Sequence, residues 1–272
     1  MNASIHARRA ALAAAAMLAI SGAAQAQAQA QAQATDTVAL AEPSAAASPV
    51  TFNAAITSDY RYRGISQTRL QPALQGGLDY VTAAGWYAGA WGSTVKFAKD
   101  AGGDGDVEID LYAGKRGELA VGLPSGLTYD VGVLRYLYPD NGLGQVAGFV
   151  NANTTEVYAQ LGYGPAYIKY SHATTNLFGF VDSEGSGYLD IGANLDAGHG
   201  VTVQLHAGRQ RVDNNPAADY TDWKIGASRS FALATVAAAY VGTNASKSAY
   251  ASPRNGKFTG RDALQLTISR TF

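Results

Sequence analysis

The sequence contains no cysteine, and that absence removes several kinds of chemistry at once. Without cysteine the chain can form no disulfide, no thiolate metal site and no cysteine nucleophile. Charged residues are also scarce, at 15% of the sequence, and the 20 basic residues nearly balance the 21 acidic ones. Nucleic acid binding requires a concentrated basic face, whereas here the two signs are interspersed along the chain. We therefore expect no nucleic acid partner.

Long apolar runs are missing as well, apart from one close to the N-terminus. Residues 10–20 are apolar, but this run is too short to span a bilayer as a helix. Arg8 and Arg9 precede it and Ala24-Gln25-Ala26 follows it, which together predict a secretory signal peptide over residues 1–26. The next stretch, residues 27–50, is an Ala/Gln-rich low-complexity segment with too few large apolar residues to offset the cost of ordering, so we expect a linker. Its Gln-Ala alternation leaves the cleavage site open.

Helical periodicity is absent after residue 50, and alternation with a period of two replaces it. In residues 51–63, for example, Phe52, Ala54 and Ile56 alternate with polar positions such as Asn53, so one face suits lipid or a core and the other suits water. The pattern recurs and predicts about twelve strands, over residues 51–64, 72–83, 85–98, 106–117, 126–138, 154–164, 165–175, 186–196, 200–211, 220–230, 231–243 and 261–272. We expect an all-β domain over residues 51–272, a transmembrane antiparallel up-and-down β-barrel.

The connections between the predicted strands alternate in length, which distinguishes this barrel from a soluble sheet. They are tight at residues 83–85, 164–165, 196–200 and 230–231, with residues 117–125 as an exception, and longer at 139–153, 175–185, 212–219 and 243–260. Outer-membrane barrels combine short periplasmic turns, longer extracellular loops and an even strand number. The strands also exceed the ~5 to 6 residues usual in soluble sheets and match the ~9 to 11 needed to cross a membrane at a tilt. We expect the cell outer membrane as location and its lipids as partners, with a soluble all-β protein as the alternative.

Two finer expectations concern local geometry. Residues 127–137 change face near residues 133–135, which predicts a β-bulge. Aromatic residues near predicted strand ends suit the headgroup depth of a bilayer; they are Tyr60, Tyr62, Trp86, Tyr136, Tyr138, Trp223 and Phe272.

Charged residues at inward positions form the candidate site. A charge facing lipid would cost ~2 to 4 kcal/mol at the midplane, so the alternation assigns these residues to the lumen. Asp59, Arg61 and Arg63 lie near the first long loop, where arginine can hold carboxylates or phosphates in a bidentate manner and narrow the pore. A salt-bridge network that only stiffens the wall is an equally good interpretation. The predicted pore-lining set is Asp59, Arg61, Arg63, Asp79, Glu108, Asp110, Glu156, Lys169, Asp190 and Lys224, and Lys96, Arg116, Asp130 and Asp222 share its parity.

Several segments resemble a known family, the TorF family of proposed porins, long known as conserved hypothetical proteins. The resemblance covers most of residues 51–272, and the run through Arg63-Gly64-Ile65-Ser66 is its most specific part. It implies an outer-membrane channel of undefined solute and supplies no catalytic residue. The segments that carry it are Ser58-Asp59-Tyr60-Arg61-Tyr62-Arg63-Gly64-Ile65-Ser66-Gln67, Gly76-Gly77-Leu78-Asp79-Tyr80, Gly85-Trp86-Tyr87-Ala88-Gly89-Ala90-Trp91-Gly92-Ser93, Glu108-Ile109-Asp110-Leu111-Tyr112-Ala113-Gly114, Thr155-Glu156-Val157-Tyr158-Ala159 and Tyr220-Thr221-Asp222-Trp223-Lys224-Ile225-Gly226.

Motifs for catalysis or cofactor binding are weak. His172 has outward parity near the long-loop rim, where twelve-stranded outer-membrane phospholipases place a Ser-His pair, but no spacing fixes a nucleophile. Residues 142–147 match a dinucleotide fingerprint by letter and lack its strand-to-helix context. We expect no enzyme, cofactor or metal, although calcium binding by alternating acidic residues without EF-hand spacing is a minor alternative; these residues are Asp104, Asp106, Glu108 and Asp110.

The leading functional hypothesis is a porin that allows passive diffusion of small hydrophilic solutes through a narrow charged lumen. A plugged structural or surface-binding barrel is the first alternative, and an outer-membrane lipid hydrolase the second. Residues 139–153 or the N-terminal linker are candidates to fold inward and narrow the passage. The terminal aromatic Phe272 resembles the signal that the barrel-assembly machinery recognises.

Overall fold

A computed structural model describes residues 49–119 and 126–272. The predicted signal peptide, the linker up to residue 48 and most of the connection at residues 117–125 lie outside the described residues.

The described residues form a closed antiparallel barrel in which each strand pairs with its neighbours along the chain, and β1 pairs with β14 to close the wall. The strands are β1 (Val50–Thr57), β2 (Arg61–Tyr62), β3 (Ile65–Ser66), β4 (Ala73–Val81), β5 (Trp86–Thr94), β6 (Val107–Glu118), β7 (Leu127–Leu137), β8 (Thr154–Tyr163), β9 (Ala166–Ala173), β10 (Gly187–Asp196), β11 (Val201–Arg211), β12 (Tyr220–Ser230), β13 (Thr235–Thr243) and β14 (Ala263–Thr271). All except β2 and β3, which form a separate hairpin, build the barrel, so the expectation of twelve antiparallel up-and-down strands is confirmed.

Helical structure within the described ranges is limited to short turns in the loops. These are α1 (Phe97–Asp100), α2 (Lys247–Tyr250) and the 3-10 helices Leu143–Gln145 and Pro216–Ala218. No helix in this part of the chain is long and apolar enough to cross a membrane.

The two faces of the wall follow the alternation of the sequence. On β14, Gln265 and Thr267 point inward and are buried, whereas Leu264, Leu266 and Ile268 point outward and are exposed. Outward apolar side chains recur on every barrel strand and form a continuous belt, far beyond the few hundred Å² that a soluble monomer usually exposes. A shift of one residue in register would turn this belt into the lumen, so the alternation also fixes the register.

The connections divide between the two ends of the barrel as predicted. One end has the connections 82–85, 119–126, 164–165, 197–200 and 231–234, and the other, called here the long-loop end, has 58–72, 95–106, 138–153, 174–186, 212–219 and 244–262.

The predicted bulge in β7 is wrong. Pairing with β6 is unbroken from Ile109 opposite Leu137 to Glu118 opposite Thr128. The sequence changes character because apolar Leu134 points into the lumen and is buried there, while Arg135 points outward and donates to Thr155 Oγ1 at 2.6 Å.

The first predicted strand is too long, and part of the predicted aromatic rim lies elsewhere. β1 ends at Thr57, not near residue 64. Every residue from Asp59 to Gly64 is buried, so the alternation between exposed and inward positions stops there. Trp86, Trp223 and Phe272 are exposed on the outside. The other four aromatic residues are buried inside the barrel at the long-loop end; they are Tyr60, Tyr62, Tyr136 and Tyr138.

Candidate functional site in the barrel lumen

The chain between β1 and β4 folds into the barrel. β2 and β3 pair within it, with Arg61 opposite Ser66 and Tyr62 opposite Ile65, and this unit (residues 59–68) is called here the inner hairpin. Arg63 and Gly64 form its two-residue turn with φ of 48° and 78°, as a turn of the I′ type requires. The sequence offered residues 139–153 or the N-terminal linker as elements that fold inward, and the structure shows such an element in the chain between β1 and β4.

The tip of the inner hairpin packs against the wall at β12 and β13. A Cβ atom on Gly64 would lie 2.5 Å from Thr243 Cγ2 on β13 and 2.7 Å from Asp222 Cβ on β12. Glycine is needed here both for its positive φ and for this close approach. Gly64 thus lies against strands that are two and three positions from β1 around the barrel.

Asp59 holds the inner hairpin together from within. It accepts hydrogen bonds from Arg61 Nε at 2.8 Å, Ser66 Oγ at 2.5 Å and Thr68 Oγ1 at 3.2 Å. Arg61 also donates to the Gly64 carbonyl at 2.9 Å, and its side chain has no exposed surface. Asp59 and Arg61 are therefore enclosed within the inner hairpin and hold its fold.

Arg63 fastens the hairpin tip to the wall. Its guanidinium makes two hydrogen bonds to Glu156 on β8, from Nη2 to Oε2 at 2.7 Å and from Nη1 to Oε1 at 3.0 Å. Nη1 also donates to Gln210 Oε1 on β11 at 2.8 Å, and the guanidinium lies 4.2 Å from the centre of the Tyr188 ring on β10. This group of contacts, called here the Arg63 latch, restrains a non-glycine residue at positive φ, a conformation that needs such support.

The base of the inner hairpin rests on an acidic and aromatic wall. Tyr60 donates to Glu108 Oε1 at 2.7 Å, and its ring packs edge-on against Trp91 with centroids 5.5 Å apart. Asp110, two residues further on the same face, is buried, and its Oδ1 and the second Glu108 oxygen have no hydrogen-bond partner among the described residues. Buried polar atoms of this kind are costly without a partner, so this part of the lumen favours contact with polar molecules.

A second charged group lies on β10, β11 and β12. His206 lies between two carboxylates, with Nδ1 2.9 Å from Asp190 and Nε2 2.7 Å from Asp222. Carboxylates only accept hydrogen bonds, so both ring nitrogens serve as donors when the imidazole is protonated. Tyr188 also donates to Asp222, at 2.9 Å. The ring of Tyr188 faces the Arg63 latch, which joins the two groups.

The remaining predicted lumen residues line the same interior. Lys169 and Asp190 are opposite each other on β9 and β10, and Lys169 Nζ lies 3.8 Å from the centre of the Tyr158 ring. Asp79 accepts from Tyr112 at 2.6 Å, and Lys224 is buried on the inward face of β12.

Three further residues share the parity of the predicted pore-lining set, and two of them lie inside the barrel. Arg116 and Asp130 contact Tyr87 inside the barrel, the former at 5.4 Å from the ring centre and the latter through a 2.5 Å hydrogen bond. Lys96 does not point into the lumen, because β5 ends before it and its ammonium group binds Asp106 at 2.9 Å on the loop surface.

The lumen is more open toward the end with the short turns. Inward residues there, such as Asn53, Arg116, Asn194 and Thr202, are half-buried, whereas Glu108 and Glu156 near the long-loop end are about 1% exposed. The inner hairpin therefore lies in the more closely packed half of the barrel interior. The predicted pore-lining set omits two kinds of contributor, His206 and the inward tyrosines, although the inward parity of both could have identified them.

Outside the lumen, the earlier candidates find little support. His172 lies on the outer face and stacks on Tyr170 with centroids 6.5 Å apart, and no hydroxyl or carboxylate within the described ranges hydrogen-bonds to it. Asp104 and Asp106 bind Lys99, at 3.4 Å and 2.5 Å. Among all the residues that the structure describes, no group of three or more His, Asp or Glu side chains is placed to hold a metal ion.

Comparison with known proteins shows the family. The model of the Gcw_chp family, described as a bacterial protein of unknown function, matches residues 42–272, and the chain belongs to this family. The TorF name expected from the sequence is not confirmed. No curated protein matches the sequence.

Solved structures with related barrels are distant. A KdgM porin shares 5% identity, with 82% of this chain and 97% of that chain covered and a TM-score of 0.48. A NanC porin shares 11% identity, covers 82% and 98% of the two chains and has a TM-score of 0.47. OprD of Pseudomonas aeruginosa shares 12% identity, with coverage of 84% and 68% and a TM-score of 0.38.

Proposed function

We propose that this Gcw_chp family member is an outer-membrane porin that allows passive diffusion of small hydrophilic solutes through a narrow charged lumen. The observation that carries the proposal is the contrast between the two faces of one closed wall. Its outer face is an apolar belt that suits hydrocarbon, and its inner face carries carboxylates, amines and a guanidinium. A barrel that served only as a rigid support could fill its interior with apolar side chains at lower desolvation cost.

The belt supports a location in the outer membrane. Every barrel strand is antiparallel and the wall is closed, so no backbone edge would be left unpaired in hydrocarbon. Short connections at one end and long loops at the other match periplasmic turns and extracellular loops. In this orientation the inner hairpin narrows the extracellular half of the lumen. Recognition of Phe272 by the barrel-assembly machinery stays a prediction.

The lining also suggests a preference among ions. Inward carboxylates exceed inward basic groups, and the Arg63 latch supplies the positive charge nearest the constriction. We expect a pore that prefers cations, with Arg63 limiting that preference. Replacing Arg61 and Arg63 with alanine should shift the reversal potential further toward cations, and because Arg61 is enclosed within the hairpin, Arg63→Ala alone should produce most of the shift. An unchanged reversal potential in both variants would remove Arg63 from the permeation path.

Liposome swelling tests the proposal with solutes of graded size. Vesicles that contain the purified, folded protein should swell in small neutral solutes, and the rate should fall steeply as the solute grows, because the inner hairpin leaves little cross-section. Vesicles prepared with heat-denatured protein serve as the control for leakage. Equal, background-level swelling for every solute would refute a porin.

A plugged, surface-binding barrel is the second candidate, and the Arg63 latch favours it. The guanidinium makes three hydrogen bonds to two strands of the opposite wall, so the hairpin resembles a fixed plug as much as a constriction. Protein that neither swells vesicles nor conducts, even after Arg63→Ala, would favour this reading.

A further inference from the structure

The long loops enclose a cavity of about 210 Å³ on the outer side of the inner hairpin. The hairpin contributes Tyr62, Ile65 and Gln67 to its lining, α1 contributes Phe97, and α2 contributes Tyr250. The loops that cover it are joined to one another: Ser66 N donates to the Thr259 carbonyl at 3.0 Å, and Ser252 Oγ donates to the Asp100 carbonyl at 3.1 Å. This space is called here the loop cavity, and it borders the Arg63 latch through Gln210.

Aromatic rings form much of the wall of the loop cavity. Phe178 packs edge-on against Tyr62 and Tyr138, with centroids 5.4 Å and 6.3 Å apart. Phe97 packs in the same manner against Tyr138, at 4.7 Å, and Tyr250 against Tyr220, at 5.1 Å. Rings held edge-on to one another leave faces and edges on which a further ring packs well.

The charge of the lining excludes an anionic occupant. Among the described residues that line the cavity, Asp100 is the one charged side chain, and no basic side chain is present. Arg69 compensates the charge of Asp100 through a salt bridge to Oδ1, and Asn255 Nδ2 donates to the same oxygen at 3.2 Å, whereas Oδ2 is buried with no hydrogen-bond partner among the described residues. An ammonium ion therefore finds no free counter-charge here, and an anion finds no partner.

The hydrogen-bonding groups of the lining are largely used by the protein itself. Gln210 accepts from Arg63 and donates to two backbone carbonyls, and the hydroxyl groups of Tyr62, Tyr250 and Thr259 each have a partner. The hydroxyl of Tyr220 has no hydrogen-bond partner among the described residues. A sugar, with a hydroxyl on nearly every carbon, would leave most of its groups unsatisfied in this cavity.

We propose that the loop cavity binds a small uncharged aromatic molecule that carries one polar group. Its volume suits a single ring, since an apolar cavity of ~150 Å³ is large enough to hold benzene. The ring of the ligand packs among Phe97, Tyr138, Phe178 and Tyr250, and its polar group meets the Tyr220 hydroxyl. This site goes beyond the porin proposal and does not depend on it, because binding at the loop cavity requires no conductance.

Saturation-transfer NMR on the full chain in lipid nanodiscs tests the site with three probes: benzyl alcohol, benzoate and glucose. Benzyl alcohol should bind, and benzoate and glucose should give no signal above that of empty nanodiscs, which correct for partition into lipid. Ala249→Trp places a ring inside the cavity and should weaken binding of benzyl alcohol by at least ~10-fold. The matched control is Ala88→Trp, the same change at an exposed outer position of β5, which should bind as the wild type does.

Two outcomes would overturn the proposal. Binding of benzyl alcohol that survives Ala249→Trp in folded protein would move the ligand elsewhere, and binding of benzoate or glucose with equal affinity would refute the assigned chemistry. If Ala249→Trp does not fold, as judged by heat-modifiable mobility on gels, Ala101→Phe fills the same cavity from α1 and gives the same test. Swelling and conductance are measured on the same preparation, so a failure of the porin proposal is recorded separately.

Discussion

Removal of the Arg63 side chain should release the inner hairpin from the opposite wall. In the folded protein the guanidinium and the Glu156 carboxylate are both almost fully buried and joined by two hydrogen bonds. Breaking a buried pair by removing one partner typically costs ~3 to 5 kcal/mol. At about 1.4 kcal/mol for each factor of ten, Arg63→Ala should lower the ratio of latched to released hairpin by a factor of roughly 10² to 4 × 10³.

Single-channel recording measures this change directly. The wild type should show small and infrequent conductance steps, and Arg63→Ala should show larger or far more frequent ones. The matched control is Arg211→Ala, which removes an exposed arginine whose pair with Asp213 lies at the surface and is worth at most ~1 kcal/mol. The effect of the double variant Arg63→Ala/Glu156→Ala on conductance should be smaller than the sum of the effects of the two single variants, because both changes remove the same interaction. Equal records for the wild type and Arg63→Ala would refute the latch.

Three further predictions concern the constriction and its surroundings. Gly64→Ala should increase conductance as Arg63→Ala does, because its Cβ would overlap Thr243 and Asp222 on the barrel wall. Gly198→Ala, at a similar φ of 79° with no atom within 4 Å of its Cβ, should leave the current unchanged. His206→Ala should make the reversal potential more cation-selective, because it removes the donor between two carboxylates; a shift toward anions would contradict the assignment. Hydrogen bonds from Lys99 and Lys96 lower the pKa of Asp106 on the loop surface, so the protection of residues 96–106 against hydrogen exchange, taken relative to the intrinsic rate at each pH, should be high above the usual carboxyl range. This protection should fall as the pH falls through the lowered pKa, and Asp106→Asn should abolish the dependence.

The barrel could be predicted because its information is local. Alternation along each strand states which residues face lipid, and Leu264, Leu266 and Ile268 on β14 show the pattern without interruption. The same rule correctly gave inward positions to Glu108, Glu156 and other charged residues of the wall. The difference in loop length between the two ends could be predicted for a similar reason, because glycine, proline and polar residues close together in the sequence indicate turns.

The inner hairpin could not be predicted from the same rule. Residues 59–64 continue to alternate in character, so the pattern extends the strand, although the chain leaves the wall at Ser58. The strand ends because residues 59–64 find hydrogen-bonding and packing partners inside the closed barrel. The latch joins Arg63 to Glu156, which is 93 positions away in the chain, and to Gln210, which is 147 positions away. These residues become neighbours only after the wall has closed.

The bulge prediction was wrong for a related reason. An apolar residue at an inward position, such as Leu134, looks like a change of face when the lumen is assumed to be uniformly polar. The lumen at the long-loop end is instead lined by aromatic side chains around the inner hairpin, among which Leu134 is buried. His206 was left out of the predicted pore-lining set for a similar reason, because its two carboxylate partners lie on neighbouring strands and not near it in the sequence.

Conductance of the purified wild type in a planar lipid bilayer tests the central claim most directly. A porin should give discrete, small conductance steps in symmetric salt. In a salt gradient, its reversal potential should have the sign that a cation-preferring lumen gives. Folded protein that inserts and produces no steps in either the wild type or Arg63→Ala would contradict a porin and leave a plugged barrel in its place.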